Sequence, residues 1–177
     1  MNTEESKAIV LSLVHYLRSK GSWAGQTHVQ KTVYILQEQL GTSFGFDFVL
    51  YIYGPFSFGL KDTICELLAD EMLTLEAQPE PYRPKLQVTQ RGQKYVRDYR
   101  PALGDLDARI DTAVTGLAPK GVVELERLST AIYVLKTHPG SKKEMARQLI
   151  RIKPRISPAE AQAALGEAKA LLNGQMA

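Results

Sequence analysis

Three histidines, one cysteine and scattered carboxylates are the side chains from which this 177-residue chain could build catalytic or metal chemistry. Cys65 is the sole thiol, which excludes an intramolecular disulfide and a cysteine-based zinc cluster. It sits between Ile64 and Leu67 in a stretch of helical periodicity. There it reads as a small buried hydrophobe, because a reactive thiolate needs a cationic and accessible setting. His15, His28 and His138 are widely separated and show no metal-ligand spacing. His15 lies among apolar neighbours and reads as a histidine in or near the core. His28 reads as a partly exposed residue at a helix start, and His138, ahead of Pro139-Gly140, as a turn residue. Asp105, Asp107 and Asp111 cluster without the fixed-spacing glutamate of a calcium loop, and fit the acidic first turn of a helix. The chain has no Gly-x-x-x-x-Gly-Lys-Ser/Thr loop, no Gly-x-Gly-x-x-Gly turn and no His-Glu-x-x-His pair. Neither an enzyme nor a metal or cofactor is expected from these residues.

Charge is more informative. The net charge is only +3, yet two segments are strongly basic. Arg83, Lys85, Arg91, Lys94, Arg97 and Arg100 stand against Asp98 alone, a net of +5. Lys136, Lys142, Lys143, Arg147, Arg151, Lys153 and Arg155 stand against Glu144 alone, a net of +6. Lys143, Arg147 and Arg151 recur every fourth residue, which lays one basic stripe along a helix. Focused positive charge can hold phosphates, and it can equally be a solvated face. Conversely, Asp62, Glu66 and Asp70 make an acidic stripe with the same spacing.

The elements that would position these groups follow from periodicity. Residues 3–19 read as an amphipathic helix capped by Thr3 and ended by Gly21. A second helix runs about 26–40, with Val29, Val33, Leu36 and Leu40 inward, Thr27 as its cap and Gln30 at the capping-box position. Residues 44–58 hold seven of the chain's fourteen aromatic residues. Alternation from Phe46 to Ile52 predicts a strand, with cover on both faces favoured over a patch for a protein partner, and with Gly54-Pro55 breaking it and opening a third helix over about 56–71. Leu73-Thr74-Leu75 and Leu86-Gln87-Val88 flank a proline-rich turn and predict a hairpin. Thr89 caps a helix running to about Tyr99, with a break at Pro101 and Gly104. Four further helices follow, at about 105–116, 121–137, 141–152 and 157–173. The composition, 44% apolar and 23% charged, is that of an ordinary globular protein.

This order predicts a mostly α fold of the α+β kind. Its first part, residues 1–103, is winged-helix-like with a two-stranded wing. Residues 104–177 are a helical region packed on it. In a winged helix the third helix enters the major groove. Here that helix carries the acidic stripe, so any DNA contact is expected from the wing or the basic tail and to be dominated by phosphates. The longest uncharged apolar stretch near the start, Ala8 to Leu17, is half of a bilayer span of ~20 residues, and no signal-peptide pattern is seen. The expected location is a reducing cytoplasm, with no membrane partner.

Three stretches resemble a known family. Val29-Gln30-Lys31 followed by Val33-Tyr34-Ile35-Leu36-Gln37, then Tyr51-Ile52-Tyr53-Gly54-Pro55-Phe56-Ser57, then Leu125 to Leu135 with Lys153-Pro154, are similar to the YwgA-like proteins. These are relatives of the SocA-like, or Panacea-domain, group. The resemblance implies a regulator that binds a protein, in the manner of an antitoxin or adaptor. It also implies that Gln30, Lys31 and Tyr34 face Tyr53, Gly54 and Pro55. His28 stands beside the motif. A glutamine or lysine at such a corner can satisfy free backbone carbonyls, and that anchoring role is favoured over a polar pocket. A non-catalytic protein-binding regulator is therefore the leading expectation. The alternative is a DNA-binding transcription regulator using Arg83, Lys85, Arg91 and Lys94 together with Lys143, Arg147 and Arg151. An enzyme built on His28, Lys31 and Tyr53 is a third, minor reading.

Overall fold

The structure, a computed structural model, describes residues 1–174. Among them the chain is mostly helical, with two small antiparallel two-stranded sheets. Helices α1 (Thr3–Ser19) and α2 (Gln26–Leu40) are followed by a hairpin of β1 (Val49–Tyr51) and β2 (Gly54–Phe56), then helix α3 (Phe58–Ala69). A second hairpin, β3 (Leu73–Glu76) and β4 (Lys85–Val88), leads into α4 (Gln90–Leu103). Then come α5 (Leu106–Thr115), α6 (Val122–Thr137), α7 (Lys142–Ile152) and α8 (Pro158–Leu172).

Side chains fix most helix starts. Asn2, not Thr3, caps α1: Glu5 N–H donates to Asn2 Oδ1 at 2.9 Å and the Asn2 N–H donates back to Glu5 Oε2 at 3.1 Å. Ser57 caps α3, Thr89 caps α4, and Ser141 and Ser157 cap α7 and α8. Helix α2 differs. It starts on Gly25 with no side-chain cap, so Thr27 does not cap it and Gln30 closes no capping box. Helix α4 runs through Pro101 instead of breaking there, and stops at Gly104.

Helix α2 is the axis of the molecule. Every residue from His28 to Leu36 is buried, enclosed by α1, α3, α5, α6, α8 and the β1–β2 hairpin. The core continues without a gap from Ile9, Leu13 and Leu17 on α1 through Val33 and Ile35 to Leu128 and Ile132 on α6 and Leu165 on α8. A helix buried all round is normally apolar all round. This one buries His28, Gln30, Lys31 and Thr32 as well. Those polar groups are what the sequence's amphipathic pattern did not anticipate.

The aromatic stretch departs most from expectation. Phe44 and Phe46 enter the core but belong to no strand. Their backbone is satisfied by one side chain: Phe44 N–H donates to Gln37 Oε1 at 2.9 Å, and Gln37 Nε2 donates to the Phe46 carbonyl at 3.0 Å. Only Val49–Tyr51 is extended and paired. Gly54-Pro55-Phe56 is its partner strand rather than a helix start, in the register Val49↔Phe56, Leu50↔Pro55, Tyr51↔Gly54. Tyr51 and Gly54 are thus joined by a two-residue turn, Ile52-Tyr53, with Gly54 at φ +96°.

Candidate functional site

The β1–β2 hairpin is held from beneath by two side chains of α2. Gln30 makes a reciprocal pair with Ser57: its Nε2 donates to the Ser57 carbonyl at 2.8 Å, and the Ser57 N–H donates to its Oε1 at 3.0 Å. Lys31 Nζ donates to the Pro55 carbonyl at 2.8 Å. Gln30 and Lys31 are adjacent on α2, and Pro55 and Ser57 flank Phe56, so two neighbouring positions reach one short segment. Lys31 is only 2% exposed. Its burial pushes its pKa down to about 8, while Glu126 opposes that shift and Lys153 adds to it. Glu126 and Lys153 form a half-buried ion pair at 3.4 Å. Gly54 completes the clamp on the other side. A Cβ there would lie 2.4 Å from Thr130 Oγ1 on α6, so the strand rests directly on that helix. Tyr34, the third residue of the motif, does not reach this corner. Its ring packs against Phe48 at 5.1 Å between centroids, and burial raises its hydroxyl pKa.

The top of the hairpin carries the opposite chemistry. Ile52 is 67% exposed and Tyr53 64%, and Val49, Leu50, Tyr51 and Phe58 are exposed as well. Of the two readings of this aromatic segment, the favoured one, all core, is overturned beyond Phe46, and an exposed patch is what the hairpin presents. The reason is geometric: a two-residue turn puts its central side chains at the tip, where no layer covers them. The rings form one cluster. Centroids of Tyr51 and Phe58 lie 5.9 Å apart, Tyr51 and Phe56 5.8 Å, and Phe56 and Phe58 5.1 Å. Between this cluster, α2 and α3 lies a cleft of about 380 Å³, with Gln30 and Lys31 in its floor and Lys61 in its wall.

The other nominated residues are dispersed. Cys65 is exposed, not core, because it follows inward-facing Ile64 on α3 and so projects about 100° away from it. His15 is exposed rather than core, on the outer side of α1 and edge-on to Tyr16 at 5.7 Å. His138 is exposed at the C-terminus of α6. Asp107 is buried. It accepts from the Tyr16 hydroxyl at 2.7 Å and pairs with Arg100 at 3.0 Å, which ties α1, α4 and α5 together. Burial and this bond push the Tyr16 pKa up to about 12. Among the described residues no group of three His, Cys, Asp or Glu side chains is arranged to hold a metal ion.

The basic residues stay on the surface. Lys143, Arg147 and Arg151 are exposed along α7, and none is in an ion pair among the described residues. Arg83, Arg91 and Lys94 are exposed near the second hairpin, while Lys85 is half-buried with its Nζ over the Trp23 ring at 4.4 Å. Helix α7 packs on α6 and α8, whereas the second hairpin packs on α1, α3 and α4, so the two basic regions sit on different parts of the fold. The acidic residues Asp62, Glu66 and Asp70 are exposed, with Glu66 paired to Lys7 at 3.2 Å.

His28 is buried, 5% exposed, and not the half-open residue its helix-start position suggests. Its Nδ1 has no hydrogen-bond partner. Burial holds its pKa below the ordinary 6.5. The unfolded chain therefore binds this proton first as pH falls. Stability that depends on the neutral ring is complete above pH 6.5 and is lost on acidification below it. The urea midpoint is expected to fall more steeply for the wild type than for His28→Gln between about pH 7.5 and about pH 5.5. Parallel declines would show that His28 does not set this dependence.

No helix among the described residues is long and apolar enough to cross a membrane. No family model matches the chain, and no curated protein matches it closely enough to name a relative.

Proposed function

We propose that this is a non-catalytic, cytoplasmic regulatory protein that acts by binding another protein, in the manner of an antitoxin or adaptor, through the tip of the β1–β2 hairpin and the start of α3. One observation carries the reading: a cluster of large apolar side chains is held open on a rigid, internally clamped support. A contiguous exposed apolar patch is costly to keep in water and marks interaction sites. Tyrosine and phenylalanine are enriched at the cores of such interfaces. The buried anchors matter because they let the rings stay outside without the hairpin collapsing onto the core. The similarity of the Gln30-Lys31 and Tyr-Gly-Pro segments to the YwgA-like proteins points the same way, as does the Gln30 and Lys31 bonding to that corner. The sequence of α1, α2 and α3 followed by the β3–β4 hairpin supports a winged-helix ancestry for the first part of the chain.

The test is affinity capture from the native host with the whole chain, wild type against Ile52→Asp/Tyr53→Asp. Both side chains are mostly in solvent, so the variant is expected to melt within about 1–2 °C of wild type. Captured partner is expected to fall at least about tenfold, the cost of losing interface anchors. Equal capture by the two proteins would sink the reading.

A second reading is favoured by the unpaired cations of α7. In it the protein binds DNA through phosphates. Exposed acids on α3 oppose insertion of that helix into the major groove. Binding to random duplex DNA would then weaken steeply with salt. Replacing Lys143, Arg147 and Arg151 by glutamine would flatten the slope of log affinity against log salt by about 3. Unchanged affinity in the triple variant would remove the stripe from any such role.

A further inference from the structure

The β1–β2 hairpin leaves one edge open, and its register fixes what that edge offers. Leu50 stands opposite Pro55, which has no N–H to give. The Pro55 carbonyl points away from β1 and accepts from Lys31 Nζ at 2.8 Å. Leu50 and Pro55 are therefore the pair of this ladder that exchanges no hydrogen bonds, and the Leu50 N–H and C=O face outward. β1 pairs with β2 alone, and among the described residues no protein group meets those two main-chain groups. Native proteins blunt such an edge with a charge, a proline or a bulge. β1 has none of these. From Phe48 to Leu60 the chain carries no charged residue, and the pairing runs unbroken from Val49 to Tyr51. Val49, Leu50 and Tyr51 are all exposed, so the side chains of the edge are bare along with its main chain.

The charge lies beside this edge, and it has one sign. Lys61, in the wall of the cleft that Tyr51 borders, is exposed and in no ion pair among the described residues. Beneath the cleft, Lys31 and Lys153 stand against the one carboxylate of Glu126. No aspartate or glutamate lines the cleft, and the acids of α3, Asp62, Glu66 and Asp70, lie outside that lining. We propose that the partner is met as an extended, acidic segment of chain that adds a strand to β1, seats an apolar side chain in the cleft and sets a carboxylate against Lys61. This names the chemistry of the partner for the hairpin tip, and it rests on that tip being the interaction surface. In strand addition the main-chain bonds supply affinity and pockets for alternate side chains supply choice. Opposite charge at the rim selects among segments that could all pair with the edge.

The test selects short random peptides displayed on phage against the whole chain, with the Ile52→Asp/Tyr53→Asp protein as counter-bait. Enriched sequences are expected to alternate apolar residues and to carry Asp or Glu. One is then synthesised and titrated by calorimetry. Successive N–H groups of a strand point to opposite sides. N-methylation of one amide is therefore expected to weaken binding at least about tenfold, and methylation of either neighbouring amide to change it less than about twofold. Lys61→Glu is expected to weaken binding about tenfold, and a peptide with lysine in place of its acidic residue to regain it. Lys169→Glu, an equal charge change at an exposed position on α8, is expected to leave affinity unchanged. Similar losses from methylation all along the peptide would mean a helical or irregular occupant and would overturn strand addition. Unaltered affinity in Lys61→Glu would overturn the acidic segment. The proposal also falls if no peptide prefers the wild type to the counter-bait. It falls equally if sedimentation shows a dimer that Ile52→Asp/Tyr53→Asp dissociates, since a second copy then fills the edge. Failure of the tip itself reads differently, as equal capture of host protein by the wild type and the double variant.

Discussion

Gly54→Ala is expected to be among the most damaging single substitutions in the molecule, at about 3–5 kcal/mol, by adding backbone strain to overpacking. Gly54 sits at φ +96°, a conformation that an L side chain rarely adopts. Its α-hydrogen side also faces α6, where a methyl group would lie 2.4 Å from Thr130 Oγ1 and 3.6 Å from the Glu126 carbonyl. The two costs separate in a double-mutant cycle. Thr130→Ala removes the clash and leaves the φ strain, so the double variant is expected to recover roughly half of the loss. Urea unfolding of the four proteins reads this directly. A loss below about 1 kcal/mol in Gly54→Ala would mean that β2 can lift off α6 at little cost, and that the hairpin is not clamped.

Gln30→Leu and Gln30→Ala are expected to cost about 2–4 kcal/mol each, because both orphan the buried N–H of Ser57 and leave its C=O with only the Lys61 N–H at 3.2 Å. The near-isosteric leucine matters: if volume were the issue, it would be much milder than alanine. Ser57 is also the cap of α3, accepting from the Leu60 N–H at 3.2 Å. Loss of Gln30 therefore loosens both the end of β2 and the start of α3, the two elements that carry the exposed rings. For a chain of this size, 2–4 kcal/mol is a fall of roughly 5–15 °C in melting temperature. A leucine variant that melts with the wild type would show that the Ser57 backbone finds other partners.

The helices were legible because their signals are local. Periodicity, Ser141 and Ser157 with their glutamates, and Gly41 and Gly104 as stops act within a few residues. So were the second hairpin and the basic stripe of α7, which lies on the surface where its spacing placed it. The errors arose where a distant group decides. Alternation from Phe46 to Ile52 promised a long strand, but Gln37 takes up that backbone and leaves only three residues to pair. Neighbours in sequence mislead at His28 and Cys65. One is covered because α2 is surrounded on all sides, and the other is bare because it projects from the outer face of α3. The Gln30-Lys31 corner was reached through family resemblance and the chemistry of free carbonyls, which no periodicity would have supplied. Trp23, Tyr82 and Lys85 come together only in the fold, through a loop that pairs with β4 by the Leu86 N–H and the Ala24 carbonyl at 3.0 Å. That contact spans more than sixty residues of sequence.

The most direct measurement is photo-crosslinking in the native host, with a photoreactive amino acid at Tyr53 in one protein and at Arg147 in another. Both positions are exposed, so neither replacement disturbs packing. The expected result is one discrete protein adduct from position 53, lost when Ile52 is changed to aspartate, and none from position 147. An adduct to nucleic acid from position 147 with none from position 53 would contradict the claim that the hairpin tip is the working surface.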